Sequence, residues 1–565
     1  MRSYYLVSSL NNTYRTTFIF FPLFIISILF YIPNIGGSGY SLPFNAFTLF
    51  SLGIVTFTLI HIACLKNKFT IDKFFIASCF FLLAITIPFL WSDNAQAFKA
   101  IPRFFTIILG LVYYFSLCQY NPSKEQITLL LFVICISTFI SSCFSLYQNY
   151  LMTKYSYFAI KIEYGRPTGI FQQVNVLASY TSTGLAIALY LLKVAKKNNF
   201  KVLLTVIVFV NIWVLFLTQS RTGLLAGAII AFYYLFTYLK EKSYKSIVLF
   251  TALILLAHFL AKNLPYSSGN EYVIKKDVIS TPQIRLYIYS DSSGLFLQKP
   301  FTGHGYGSFH NEILKYSATK SAVRENINYG KRIPHPHNEL LLWIVEGGIL
   351  IAVSFLVLFS YFFYLIYNGT NNYKACLLLI LLPIFLHTQT EHPFYQSTLH
   401  FIVFITMLYS IIRLCNIKNL KIKPNISLIK ITSLIFTTLL LVFSITALQS
   451  TIKLRRYIYN EPNNHILLSE ALNPLIEYKF KEIQINTLKL EIAIRNNDVN
   501  SIQQFIDWTD TFLLAFPSDY VHFEKIRALK SLGYKNKAEQ ETNIAKTLYP
   551  QNKSWDSAIW TPSKY

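Results

Sequence analysis

The sequence predicts an all-α polytopic membrane protein of about thirteen transmembrane helices, with one large outer loop and a helical C-terminal domain on that same outer side. Three observations carry this. Of the 565 residues 53% are hydrophobic and only 13% charged, where a soluble domain carries roughly 25% charged residues, and the mean hydropathy is +0.42. The apolar residues come in runs near the length that crosses a bilayer, about 20 residues. The basic residues are also sorted unevenly between loops. A soluble enzyme is excluded, and so is a disordered chain, which needs low hydrophobicity. The net charge of +24 reads as a topology signal, because Lys and Arg collect in cytoplasmic loops of membrane proteins. No nucleic-acid partner is expected.

The spans fall near 17–34, 45–64, 74–91, 103–119, 127–149, 171–192, 202–219, 222–239, 246–262, 339–367, 375–388, 398–412 and 430–449. Arg2 and Arg15 precede the first run, and no small-residue cleavage site follows near Pro33, so that run reads as a retained span and not a removed signal peptide. The runs 375–388 and 398–412 are short and read as tilted or re-entrant. With the N-terminus cytoplasmic, the loops on that side hold about 19 Lys and Arg, among them Lys66, Lys68, Lys73, Lys196, Lys197, Lys418, Lys421 and Lys423, against about six in the opposite short loops. The chain then divides into 1–262 with nine spans, a large outer loop at 263–338, four spans in 339–449, and an outer domain at 450–565. Helical patterning such as Phe523 to Leu532 makes that last part a small helical domain, with a weak likeness to a tetratricopeptide-type repeat. The seven cysteines lie within or beside apolar runs, without CxxC spacing, and read as small hydrophobes.

Five polar clusters gather on the outer side. Gly165-Arg166-Pro167-Thr168-Gly169 leads into Gln172-Gln173-Val174-Asn175; amides entering a membrane helix are costly unless they face a polar cavity or a partner, and hydrogen-bond glue between helices is the alternative reading. Arg166 reads equally as a snorkelling interfacial arginine. Gln219-Ser220-Arg221-Thr222-Gly223 forms a tight outer turn, where a planar guanidinium suits bidentate contact with phosphate oxygens or serves as an anchor. Arg285 and Pro300-Phe-Thr-Gly-His-Gly-Tyr-Gly307 lie in the large loop, with glycines that permit close backbone approach or make an ordinary loop. His335-Pro336-His337-Asn338-Glu339 opens a span that continues to Glu346-Gly347-Gly348. An imidazole there can take a proton from a hydroxyl near neutral pH, with a neighbouring carboxylate to orient it. Zinc is the rival reading of His335 and His337, without an HExxH helix to support it. His387-Thr-Gln-Thr-Glu391-His392-Pro393, with His400 beyond it, offers a carboxylate to balance the arginines or bind sugar, or is a helix-ending turn.

Taken in order and on one face, this set resembles the O-antigen ligase/Wzy polymerase superfamily, and within it the bacterial protein O-oligosaccharyltransferases of the PglL type. The resemblance rests on Arg166 through Ala178, Ser220-Arg221-Thr222-Gly223, Arg285, Pro300 to Gly307, His335-Pro-His-Asn338, Glu346-Gly-Gly and Glu391-His-Pro with His400. Two positions depart from it: Val174 stands where the family usually has proline, and His304 where it has an aromatic. The resemblance implies glycan transfer from a polyprenyl-pyrophosphate carrier to an acceptor hydroxyl at the periplasmic face of the bacterial inner membrane. For the protein-modifying branch the acceptor is a Ser or Thr of a pilin-like or periplasmic protein. It implies no cofactor and no metal. It makes His337 the base, sets Arg166, Arg221 and Arg285 on the departing pyrophosphate, and leaves Gln173, Asn175, Asn338, Glu339 and Glu391 to position substrate or histidine. A lipopolysaccharide O-antigen ligase or O-antigen polymerase is the sibling reading. A flippase or transporter is a distant one, because its binding groups belong near the midplane on broken helices.

Overall fold

A computed structural model describes residues 18–92, 96–153, 156, 160, 165–265, 282–320 and 333–556. The charges at Arg2, Arg15, Lys154 and Lys161, and the loop stretches 266–281 and 321–332, lie outside the described residues.

Among the described residues ten helices are long and apolar enough to cross a membrane: Pro43–Lys66, Lys73–Leu90, Ala97–Tyr120, Lys124–Tyr150, Val174–Val194, Asn198–Thr218, Arg221–Lys240, Tyr244–Asn263, Ile349–Asn368 and Ile426–Tyr459. Three shorter apolar helices, Phe18–Leu29, Lys374–Thr388 and Thr398–Leu414, occupy the places of the other expected spans. The protein is therefore an all-α multi-pass membrane protein. One expectation is corrected. The run 339–367 is not one helix but two, Glu339–Gly347 and Ile349–Asn368. Gly348 breaks it at φ +76°, in the left-handed region, and a Cβ there would sit 2.2 Å from the Phe301 carbonyl oxygen. Apolar residues continue on both sides, and only Glu346 and the glycine pair mark the point.

The chain forms two compact units. The first comprises 1–79, 109–275 and 359–476. Its centre is Val174–Val194, whose most apolar window is 94% buried and which packs against Lys124–Tyr150, Asn198–Thr218, Arg221–Lys240 and Lys374–Thr388. Small residues permit that closeness: a Cβ on Gly184 would meet Thr138 Oγ1 at 2.0 Å, and one on Gly223 would meet Ala178 Cβ at 2.6 Å. Ile426–Tyr459 lies along Pro43–Lys66, with Thr437 Oγ1 donating to the Gly53 carbonyl at 3.3 Å. At 34 residues it is about 51 Å long, well beyond the ~30 Å apolar core of a bilayer. A two-stranded antiparallel ribbon, Phe69–Asp72 with Asn419–Ile422, ties together two loops distant in the chain.

The second unit comprises 80–108, 276–358 and 477–565. In it the helices Tyr478–Arg495, Val499–Ala515, Asp519–Ser531 and Lys535–Leu548 enclose a core of Leu490, Phe505, Ile526, Leu529 and Ala545. Their apolar residues recur at helical spacing, which gives each helix one face to bury. Leu314, from the loop helix Phe309–Thr319, joins this same core, so the large loop and the tail pack as one body.

Candidate active site

In the first unit the polar residues gather on Glu391. Gln173 caps the helix Val174–Val194 with its Oε1, which accepts from Val176 N at 2.7 Å. That leaves its Nε2 to donate to Glu391 Oε2 at 2.7 Å. Asn175 Nδ2 donates to Glu391 Oε1 at 2.6 Å, and its Oδ1 accepts from Ser220 Oγ at 2.7 Å. His387, one helical turn before Glu391, places Nε2 3.4 Å from the carboxylate and Nδ1 2.8 Å from Ser179 Oγ. His400 Nε2 lies 3.2 Å from the same hydroxyl and 3.0 Å from the Val176 carbonyl, and its Nδ1 lies 3.0 Å from Ser397 Oγ. Glu391, Ser179, His387 and His400 are all buried. A buried charge is tolerated only where it is paired and hydrogen-bonded, and two amides with an imidazole supply this for Glu391. Ser179 went unnoticed in the sequence, although it stands four residues after Asn175 and so on the same helix face.

Arg221 is exposed as the first residue of Arg221–Lys240. Ser220 caps that helix, its Oγ accepting from Gly223 N at 3.4 Å, and Gln219 before it takes φ +50°. The same Ser220 hydroxyl bonds to Asn175, so the turn bearing Arg221 is tied to the Glu391 cluster. A guanidinium at a helix N-terminus, where the helix dipole is positive, favours an anion. Arg166 is half-buried in the segment that leads into Gly169–Phe171, where Gln148 Oε1 accepts from Thr168 N (3.0 Å) and Gly169 N (2.8 Å).

In the second unit Arg285 is half-buried on Pro282–Gln298. Ile284 and Ile288 of that helix share a core with Leu342 and Val345 of Glu339–Gly347, and Tyr289 OH donates to the His337 carbonyl at 3.4 Å. The helix of Arg285 and the helix that follows His337 are therefore packed together. His337 takes φ +53°, an uncommon conformation for a residue with a side chain. Asn338 Oδ1 caps the following helix by accepting from Leu341 N at 2.8 Å, and Glu339 Oε1 accepts from Trp343 Nε1 at 2.8 Å. Pro336, which stands between His335 and His337, does not keep their side chains apart. The chain folds back at His337, so the two rings meet edge-to-face with centroids 4.8 Å apart, and His335 Nδ1 accepts from His337 N at 3.3 Å.

The glycine motif has a structural explanation. His304 N and Gly305 N donate to the carbonyls of Val345 (3.0 Å) and Glu346 (2.9 Å), and Ile349 N donates to the Pro300 carbonyl at 2.8 Å. A Cβ on Gly303 would lie 2.3 Å from the Glu346 carbonyl oxygen. Pro300 to Gly307 is thus a clasp on the Gly347–Gly348 break. Beneath it Arg103 and Glu346 form a buried ion pair, with the guanidinium 4.9 Å from the Trp343 ring centre. Among the described residues no three His, Cys, Asp or Glu side chains form a metal-ligand set.

With fold and site in place, the class is that of a multi-pass membrane protein, and three family models match separate parts of the chain. A protein glycosylation ligase model matches residues 167–192, which hold Gln173, Asn175 and Ser179. An O-antigen ligase model matches 204–356, which hold Arg221, Arg285 and His337. A model described as the C-terminal part of a virulence factor membrane-bound polymerase matches 375–561, which include Glu391. A curated relative, the ComP-specific O-oligosaccharyltransferase of Acinetobacter baylyi, is 25% identical over 284 residues, 48% of this chain and 47% of its own length. The chain thus aligns with about half the length of that relative.

Proposed function

We propose that the protein transfers a glycan from a polyprenyl-pyrophosphate carrier to a Ser or Thr hydroxyl of a periplasmic or pilin-like protein. The observation that carries this reading is the Glu391 cluster: the amides that hold the carboxylate come from the stretch matching the protein glycosylation ligase model. The relative's name supports a protein acceptor. In the reaction the acceptor oxygen bonds to the anomeric carbon as the bond from that carbon to the phosphate oxygen breaks. His337 takes the hydroxyl proton, and the pyrophosphate leaves on the lipid. Arg166, Arg221 and Arg285 neutralise the growing charge, a term that often dominates such catalysis. Glu391, with Gln173 and Asn175, positions substrate, and Asn338 and Glu339 hold the His337 segment in register. No cofactor is assigned a step. The protein sits in the bacterial inner membrane with thirteen spans, its N-terminus cytoplasmic and its large loop and tail periplasmic.

The O-antigen ligase match over 204–356 favours a second reading, in which the same donor meets a lipid or polysaccharide acceptor. The test is reconstitution of the full chain with a lipid-linked oligosaccharide and three acceptors: a Ser/Thr-bearing pilin, lipid A core, and a second lipid-linked glycan. Glycosylated pilin alone is expected. Product on either of the other acceptors, with none on pilin, overturns the protein-modifying reading. No product on any acceptor overturns the transferase reading.

A further inference from the structure

The ribbon of the first unit pairs Phe69 with Ile422, Thr70 with Lys421, Ile71 with Leu420 and Asp72 with Asn419. Lys68 and Lys423 flank that register at one end, and Lys418 and Lys73, the first residue of the helix Lys73–Thr86, flank it at the other. Like charges close together across an antiparallel pair are unfavourable, and this ribbon carries two lysines at each end with Lys421 between them. All five lysines are exposed, and none has an ion-pair partner among the described residues. The one carboxylate in the ribbon is withheld from them: Asp72 is fully buried, accepting from Tyr114 OH and Phe75 N at 2.8 Å each. What holds the strands together is apolar, since Phe69 packs with Ile60, Ala63 and Ile422.

Beside the lysines two leucines point outward, Leu65 at 70% and Leu420 at 41% exposure. The ribbon also joins the ends of apolar helices, Pro43–Lys66 before Phe69 and Ile426–Tyr459 after Ile422. Ammonium groups at the end of membrane helices, next to exposed apolar side chains, match a ligand with a negative head and a hydrocarbon body. We propose that this ribbon is a binding site for the phosphodiester headgroup of an anionic phospholipid, which sits among the lysines that flank the strands and offsets their like charge. Basic residues collected next to a membrane are attracted to anionic lipid in this way. The proposal is independent of the transfer reaction.

The test uses the full chain in detergent, incubated with mixed micelles of phosphatidylcholine and phosphatidylglycerol and re-isolated, with retained lipid counted by mass spectrometry. The wild type is expected to retain phosphatidylglycerol over phosphatidylcholine, less so as salt rises. The variant K68Q/K73Q/K418Q/K423Q is expected to retain about tenfold less phosphatidylglycerol, and the corresponding four-arginine variant to retain it normally. Because these charges also steer insertion, the wild type and the arginine variant decide the matter if the glutamine variant fails to insert. Equal retention of the two lipids by the wild type, or salt-independent retention, overturns the proposal. So does undiminished retention by an inserted glutamine variant, or displacement of the lipid by inorganic phosphate at matched ionic strength.

Discussion

Asn175 and Glu391, 216 residues apart in the chain, are joined by a 2.6 Å hydrogen bond from amide to carboxylate. The bond matters because Asn175 also accepts from Ser220, so one side chain links the helix Val174–Val194, the turn before Arg221 and the loop of Glu391. Removing a donor from a buried acceptor costs about 1–3 kcal/mol. Asn175→Ala and Glu391→Ala should therefore be non-additive in a double-mutant cycle of thermal stability, with coupling of about 1–3 kcal/mol. Additive losses would show that the bond holds nothing.

The ion pair of Arg103 and Glu346 should be a folding determinant of the second unit. Both side chains are buried, and breaking a buried pair by removing one partner costs about 3–5 kcal/mol. Arg103→Met is expected to lower the melting temperature and the yield of intact protein, and Arg103→Met/Glu346→Leu to recover much of both. A single variant as stable as wild type, measured by fluorescence-detected unfolding in detergent, contradicts this.

In the tail, burial alone would raise the Glu541 carboxyl, but hydrogen bonds from His522 (2.5 Å) and Lys525 (2.6 Å) outweigh it and leave it below the ordinary value of 4.5. A depressed carboxyl contributes stability that is present above its unfolded value and is lost as pH falls through the folded one. Burial raises Glu524, which works in the opposite sense and penalises the fold once ionised. Amide exchange in 519–548 of the full chain, corrected for its intrinsic pH dependence, should accelerate below about pH 4.5. Glu541→Gln should flatten that rise, and Glu524→Gln should steepen it. An unchanged profile in Glu541→Gln would remove the cluster from the acid response.

Much of this architecture is legible in the sequence because a membrane span announces itself: an apolar run such as 198–218 needs no partner to be recognised. Pairing is another matter. Gln173, Asn175 and Glu391 each stand out as polar residues in apolar surroundings, but nothing local says that the first two hold the third. The break at Gly348 is hard to read because apolar residues continue on both sides of Glu346-Gly347-Gly348, and its geometry follows from the carbonyl of Phe301 pressing on the glycine. The ribbon is hidden for a different reason. Four-residue strands lack enough alternation to be read, and their register depends on Phe69 meeting Ile422 from 350 residues away. Arg103 is hidden in the same way, because nothing local shows that its partner is Glu346, 243 residues further on.

Arg221→Lys should impair transfer although it keeps the charge. The exposed guanidinium at the start of Arg221–Lys240 presents two parallel donors to a phosphate, and an ammonium presents a single point. At matched protein level the expected loss is about tenfold or more. Normal transfer by Arg221→Lys would reduce the residue to an interfacial anchor.

The last prediction concerns His335 and His337. In the proposed reaction the base has to meet the acceptor hydroxyl within about 3 Å, and removing such a base costs about 10²–10⁴-fold. Its backbone sits at φ +53°, a conformation that costs energy and must be held by its surroundings. Two groups hold it here: Tyr289 OH bonds its carbonyl, and His335 accepts its N–H while packing against its ring. His337→Ala should abolish glycan transfer with folding and insertion intact. His335→Ala should leave the base in place but free to move, and a misplacement of about 1 Å costs roughly a hundredfold. Tyr289→Phe should fall between His335→Ala and wild type. In His335→Ala the pH at which activity is half-lost should stay near the wild-type value while the maximal rate drops, because the titrating group is unchanged. Equal, small losses at both histidines would take the base assignment away from His337, and a shifted pH profile in His335→Ala would make His335 the titrating group.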